Sequence, residues 1–154
     1  MQVKLCTFAI ENRFDKTQLN RMLQFNRPND LALLILRLSL GAFMIYGHGY
    51  PKLLRLFGGE EIKFRDFLGL GPVVSLALAT FAEVVCSLLI MSGLYTRIAS
   101  GFLIITMVVA AFIRHAPDPF STKEKALLYL VGFIAIAIAG AGWYSLDAKF
   151  RNKI

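Results

Sequence analysis

The stretch PVVSLALATFAEVVCSLLIMSGL, residues 72–94, carries a single charge in 23 residues. About 20 apolar residues suffice for a helix to cross a bilayer. The lone charge is Glu83, eleven residues past Pro72. At 1.5 Å per residue it lies roughly 16 Å along such a helix, near the middle of a hydrocarbon core about 30 Å thick. A carboxylate at that depth needs a partner, a proton or a water-filled cavity. The segment therefore predicts a membrane helix built around a buried polar group.

Three further apolar blocks flank it: Leu31–Tyr50, Ile98–Ile113 and Ala126–Trp143. The chain is 56% hydrophobic with a mean hydropathy of +0.60, too apolar for an ordinary soluble domain. What lies between the blocks is short, which leaves no room for a separate soluble catalytic domain. The predicted fold is all-α: a membrane four-helix bundle over residues 31–148, preceded by a short amphipathic N-terminal segment, 1–30, and followed by a basic tail, 149–154. In the N-terminal segment Leu19, Met22 and Leu23 share one helical face and suit a surface helix. Pro28, Asn29 and Asp30 read as a break, with Asp30 as N-cap of the first span. Pro51, Gly58, Gly59, Gly69 and Gly71 punctuate a loop over 51–71, within which 62–70 reads as a short interfacial helix. Pro72 opens the second span. A tight turn at Gly93–Thr96 makes the second and third spans a hairpin. Trp143 and Tyr144 close the fourth as an aromatic belt.

The net charge of +7 would suit nucleic acid on a soluble chain. Here Lys and Arg flank the apolar blocks, so the lipid bilayer is the expected partner and nucleic acid is not. Cys6 and Cys86 form no CxxC pair or metal spacing. The first 30 residues show no cleavable signal, so the first span is expected to act as an uncleaved insertion signal. Four spans place both termini on one side. That side holds nine Lys and Arg against seven on the other, which favours cytoplasmic termini.

Arg37 is six residues into the first block, roughly 9 Å deep. Glu83 approaches from the opposite side, so an Arg37–Glu83 pair spans an axial offset of only about 5 Å. The competing expectation is that Arg37 snorkels to the near interface. Arg37, Gly41, Met44 and His48 follow i, i+4, i+7, i+11 and share a face, and Gly41 would admit a neighbouring helix closely. Arg37, His48 and Glu83 form the candidate buried polar site. Lys52, Arg114, His115 and Glu124 lie at span ends on the non-terminal side and, with His48, form a candidate polar mouth above Glu83. No ligand spacing for a metal is present. Gly132, Ala135, Ala139 and Gly142 make a small-residue stripe, expected to pack tightly. Leu36–Gly41 and Thr96–Gly101 echo each other, through a two-plus-two duplication or coincidence.

Several strings together resemble the DoxX family of small four-span membrane proteins. They are Leu36-Arg37-Leu38 with Gly41, His48-Gly49-Tyr50-Pro51-Lys52-Leu53, Phe67-Leu68-Gly69-Leu70, Ala82-Glu83 and Gly93-Leu94-Tyr95-Thr96-Arg97. His115, Glu124 with Ala126-Leu127-Leu128, and Tyr144-Ser145-Leu146-Asp147 complete the set. The resemblance covers about residues 31–148. It implies a multi-pass protein of the bacterial inner membrane. It also implies a link to thiosulfate:quinone oxidoreduction or to membrane-bound redox and sulfur-stress complexes, with no catalytic residue to carry over. The sequence has no haem, flavin or iron–sulfur ligation pattern. The leading expectation is a redox-associated membrane subunit that binds a quinone or another small molecule around Glu83, beside a membrane or peripheral redox partner. A small-molecule or proton-coupled transporter and a structural membrane scaffold remain open alternatives.

Overall fold

The computed structural model describes residues 16–59, 62, 64, 66 and 69–151, and side chains from Pro28 to Phe150. All regular structure among them is helical. In chain order the elements are α1 (Lys16–Met44), a π-helical turn (Ile45–Gly49), α2 (Tyr50–Phe57), α3 (Pro72–Thr80), a second π turn (Phe81–Cys86) and α4 (Ser87–Ser92). They continue with α5 (Thr96–Val108), a third π turn (Val109–Arg114), α6 (Phe120–Ala139) and α7 (Leu146–Arg151). Joined through their π turns, these make three helices long and apolar enough to cross a membrane: Pro28–Phe57, Pro72–Ser92 and Thr96–Arg114. The fourth helix, α6, starts with Lys123, Glu124 and Lys125 in its opening turns. Its uncharged part runs from Ala126 to Ala139, roughly 21 Å at 1.5 Å per residue. It packs chiefly along α5 and also against α1.

The core is a single cluster in which Met44, Cys86, Ile90, Leu103, Phe133 and Ile136 meet. Each side chain comes from one stripe of its helix. The opposite stripes are as apolar as the core: Ile35, Phe43, Leu88, Ile105, Val131 and Ile138 are all exposed. A soluble bundle would aggregate with such an exterior. In a bilayer it is the lipid-facing surface.

Five local expectations are corrected. The helix does not break at Pro28–Asp30, because α1 runs straight through Pro28. A proline removes one backbone bond, and the leucine-rich sequence beyond it keeps the helix going. Asp30 is no N-cap; its carboxylate accepts from the Trp143 N–H at 3.0 Å. The first span does not stop at Tyr50 either. The π turn re-registers the ladder there, with Tyr50 N–H donating to Ile45 O, and Pro51 falls in the first turn of α2, where its missing N–H is not needed. The expected 62–70 helix is absent at Ile62, Phe64, Asp66, Gly69 and Leu70; its other positions, and residues 1–15 of the N-terminal segment, lie outside the described residues. Asp66 instead accepts from Leu70 N–H, Gly71 N–H and the Ser75 hydroxyl, which ties the loop to the start of α3. The small-residue stripe is only partly a packing face. Gly132 receives Leu40, whereas Ala135 and Ala139 are exposed and Gly142 lies beyond the helix end.

The 93–96 turn forms as expected. Gly93 and Tyr95 both adopt positive φ, and Leu94 N–H reaches back to Leu89 O at 2.9 Å, closing α4 in the manner of a helix C-cap. A Cβ on Gly93 would meet the Arg37 guanidinium and, at 2.5 Å, the Ser145 side chain. Gly69 has nearly the same φ, +69° against +71°, with open space around it. Both Gly→Ala changes incur about 1–2 kcal/mol of left-handed strain, and only Gly93→Ala adds a clash. Thermal unfolding in detergent should therefore place Gly93→Ala below Gly69→Ala by about 1–3 kcal/mol, the usual range for overpacking. Equal losses would show that the close approach at Gly93 is not constraining.

Candidate functional site

Glu83 sits in the second π turn, 3% exposed. Its partner is Lys52. The Lys52 ammonium lies 2.6 Å from one carboxylate oxygen and 2.5 Å from the other. Gly49 makes this possible. A Cβ there would lie 3.2 Å from the Glu83 carbonyl oxygen and would collide with Val84, so the first π turn can press directly on the second. Lys52, three residues on, then reaches the carboxylate from above. Its side chain keeps 22% exposure against 4% for that of Glu83. The pair is thus sealed at the acid and open at the amine.

His48 is one turn from Lys52. Its ring meets Tyr129 of α6 edge-on at 5.7 Å and 87°, and Tyr129 stacks on Phe133 at 6.0 Å. Among the described residues, Lys52 and Lys125 are cations close enough to act on His48. An apolar hollow of about 510 Å³ lies elsewhere. It lies on the flank lined by Ala42, Ile45, Tyr46, Tyr50 and Met91.

The expected Arg37–Glu83 pair does not form. Arg37 is fully buried, but it faces the opposite end of the bundle. Nη1 donates to Ile90 O at 3.4 Å and Nη2 to Tyr144 O at 2.6 Å. A helical side chain leans toward the N-terminus of its own helix. On antiparallel helices, Arg37 and Glu83 therefore lean apart, and an estimate from Cα depth alone misses this. Lys52 is placed the other way, so Glu83 leans toward it. The expected snorkelling of Arg37 does not occur either; the guanidinium is held by carbonyls at a helix end.

The polar mouth is only partly assembled. Lys52 turns inward to Glu83, and His48 lies beside it. His115 Nδ1 lies 2.6 Å from Asp118 Oδ2 within its own loop, and Lys123 donates to Ala116 O at 2.7 Å, pinning that loop to α6. Arg114 and Glu124 are exposed. Among the described residues no hydrogen bond or ion pair joins Arg114, His115 or Glu124 to Lys52 or Glu83. No group of three or more His, Cys, Asp or Glu side chains among the described residues could hold a metal ion.

A sequence profile of the DoxX family matches residues 32–116, more than half of the chain. The chain belongs to the DoxX family. A relative from Haemophilus influenzae, described only as an uncharacterized protein, is 33% identical over 134 residues, covering 82% of this chain and 95% of the relative. No solved structure matches. The profile contains Arg37, His48, Lys52 and Glu83, so the buried pair and the arginine clasp both fall in the DoxX region. Tyr129, Lys125 and Asp147 lie beyond it. Reading from sequence missed all three as site residues. Asp147 accepts from Tyr95 N–H at 3.0 Å and from the Thr96 N–H and hydroxyl at 3.3 and 3.4 Å, capping α5 across 50 residues of chain. Its only signal was its place in the Tyr144–Asp147 string. Lys125 and Tyr129 were detectable as an i, i+4 pair on α6.

Removing one member of a buried ion pair strands the other, which typically costs about 3–5 kcal/mol, whereas replacing both by apolar residues is often neutral. Lys52→Met should therefore destabilise this DoxX chain far more than the double variant Lys52→Met, Glu83→Leu. A double-mutant cycle read by denaturation in micelles checks it, and additive single losses would refute a coupled pair.

Proposed function

We propose that this DoxX protein is a multi-pass protein of the bacterial inner membrane with cytoplasmic termini, and that it serves as a redox-associated subunit binding a quinone, or a small molecule of like shape, beside Lys52 and Glu83. One observation carries the reading: a Lys52–Glu83 pair, closed at the acid and open at the amine, next to His48 and Tyr129, between the π turns of two membrane helices. A quinone site needs an apolar wall, an aromatic surface and a few donors placed for its carbonyl oxygens. The Lys52 ammonium, the His48 ring and the Tyr129 hydroxyl are such donors, and the Tyr129 ring, backed by the buried Phe133, offers the aromatic surface. No redox cofactor ligands are evident in the sequence, so electrons would come from a partner protein, with this chain holding the acceptor.

The clasp at the other end supports a scaffold role as a second reading. Arg37 joins α1, α4 and the Tyr144 segment, the kind of fixed frame on which a partner could dock.

The test is binding of a short-chain ubiquinone or menaquinone analogue to the purified protein in neutral detergent, followed by calorimetry. Micromolar binding is expected in the wild type, and about tenfold weaker binding, near 1.4 kcal/mol, in His48→Ala. Absence of binding by the wild-type protein would remove the quinone reading and leave the scaffold. A C-terminal reporter fusion, active only in the cytoplasm, checks the orientation independently.

A further inference from the structure

Glu83 neutralises Lys52, but no described residue neutralises Lys125. Among the described residues Lys125 makes no ion pair, and neither the His48 ring nitrogens nor the Tyr129 hydroxyl has a hydrogen-bond partner, although both side chains are partly buried. The topology brings these groups together. The first span runs from His48 outward to Lys52, and α6 runs inward from Lys125 to Tyr129. The His48–Tyr129 ring contact at 5.7 Å fixes one level, and the two lysines stand one turn further out. A helical side chain leans toward its helix N-terminus, which tilts the Tyr129 hydroxyl toward the turn of Lys125. The apolar part of α6 begins at Ala126, so Lys125 marks the hydrocarbon edge, where headgroups lie. Lys125 is exposed there, and the His48 ring nitrogens and the Tyr129 hydroxyl are not buried away from the surface, so all three are open to a headgroup.

We propose that Lys125, His48 and Tyr129 form a seat for one phosphate group at the membrane edge, with the Lys52 field behind it. Three donors, two from one face of α6 and one from the first span, suit an oxyanion with several acceptor oxygens. Two lysines and one carboxylate leave one positive charge, which a phosphodiester cancels. The seat shares His48 and Tyr129 with the proposed quinone position, so a phosphate group and a quinone headgroup would exclude one another there, and the seat is tested with no quinone present.

The test uses the full chain in neutral detergent. Phosphatidylglycerol is titrated in and counted by native mass spectrometry, with phosphatidylcholine as the neutral comparison. Inorganic phosphate is titrated separately and followed by thermal unfolding. The expected result is saturable binding of one phosphatidylglycerol, weakened about tenfold, or 1.4 kcal/mol, by Lys125→Ala and by Tyr129→Phe. Arg114→Ala, which removes an exposed cation on the same side, should leave it unchanged. Lys125→Ala should also keep the wild-type unfolding temperature, since that side chain makes no hydrogen bond or ion pair among the described residues. Stabilisation by inorganic phosphate as well would identify a free phosphate as a ligand, and response to the lipid alone a headgroup; either supports the seat. No saturable binding, or equal losses in Lys125→Ala and Arg114→Ala, would overturn it and leave only diffuse attraction of lipid to a basic surface.

Discussion

A carboxylate in the interior of a membrane helix needs a partner, a proton or a water-filled cavity; Glu83 has the first, and the geometry around it follows from that pairing. Lys52 can reach the acid because Gly49 has no side chain and because the first helix continues past Pro51. If either failed, the ammonium would point into the loop. The close approach then fixes how the first two spans cross. His48, one turn from Lys52, is carried against α6, and the aromatic contact with Tyr129 follows. The pair is therefore as much a determinant of helix placement as a consequence of it.

The opposite end is organised without a carboxylate in contact. Arg37 donates to two carbonyls, one in the last turn of α4 and one in the segment before α7. A helix C-terminus carries partial negative charge, so the guanidinium is held by dipoles, with Asp147 as the nearest acidic influence. Asp147 in turn caps α5. One chain of contacts thus links α1, α4, α5 and α7. Arg97, the matching arginine of the sequence echo, is exposed near Gly140, so the two arginines do not play equivalent parts. The Arg37 Nε and Ser87 hydroxyl are buried without partners.

Much of the fold was legible in the sequence, for a simple reason. Apolar length, the charge on Glu83 and the Gly93 turn are local signals, and each reports on its own element. Gly41 was legible too: a Cβ there would collide with Met91. What failed was everything that depends on direction or phase. The Arg37–Glu83 pairing was argued from depth, but side-chain lean separates the two. Pro28 and Pro51 read as punctuation, yet both lie inside continuous helical paths, because a membrane helix with strong propensity on either side absorbs the loss of one hydrogen bond. The polar mouth gathered residues from the correct side of the bundle but could not say which way each faced. His115 finds Asp118 three residues away, a local partner that outcompetes any distant one.

The π turns have a consequence for the relation between sequence and surface. Each inserts about one residue beyond α-helical winding, so the helix beyond it is rotated by roughly 100° relative to its start. A stripe followed at 3.6-residue spacing through Phe81–Cys86 therefore ends on a different side from the one on which it began. Glu83 lies inside that phase shift. A chain shorter by one residue there would keep nearly the same composition, hydropathy and span length. Its acid, however, would turn around the helix axis, away from Lys52. The membrane helix works as a vernier, in which a single residue count decides whether a charge faces the bundle or the lipid.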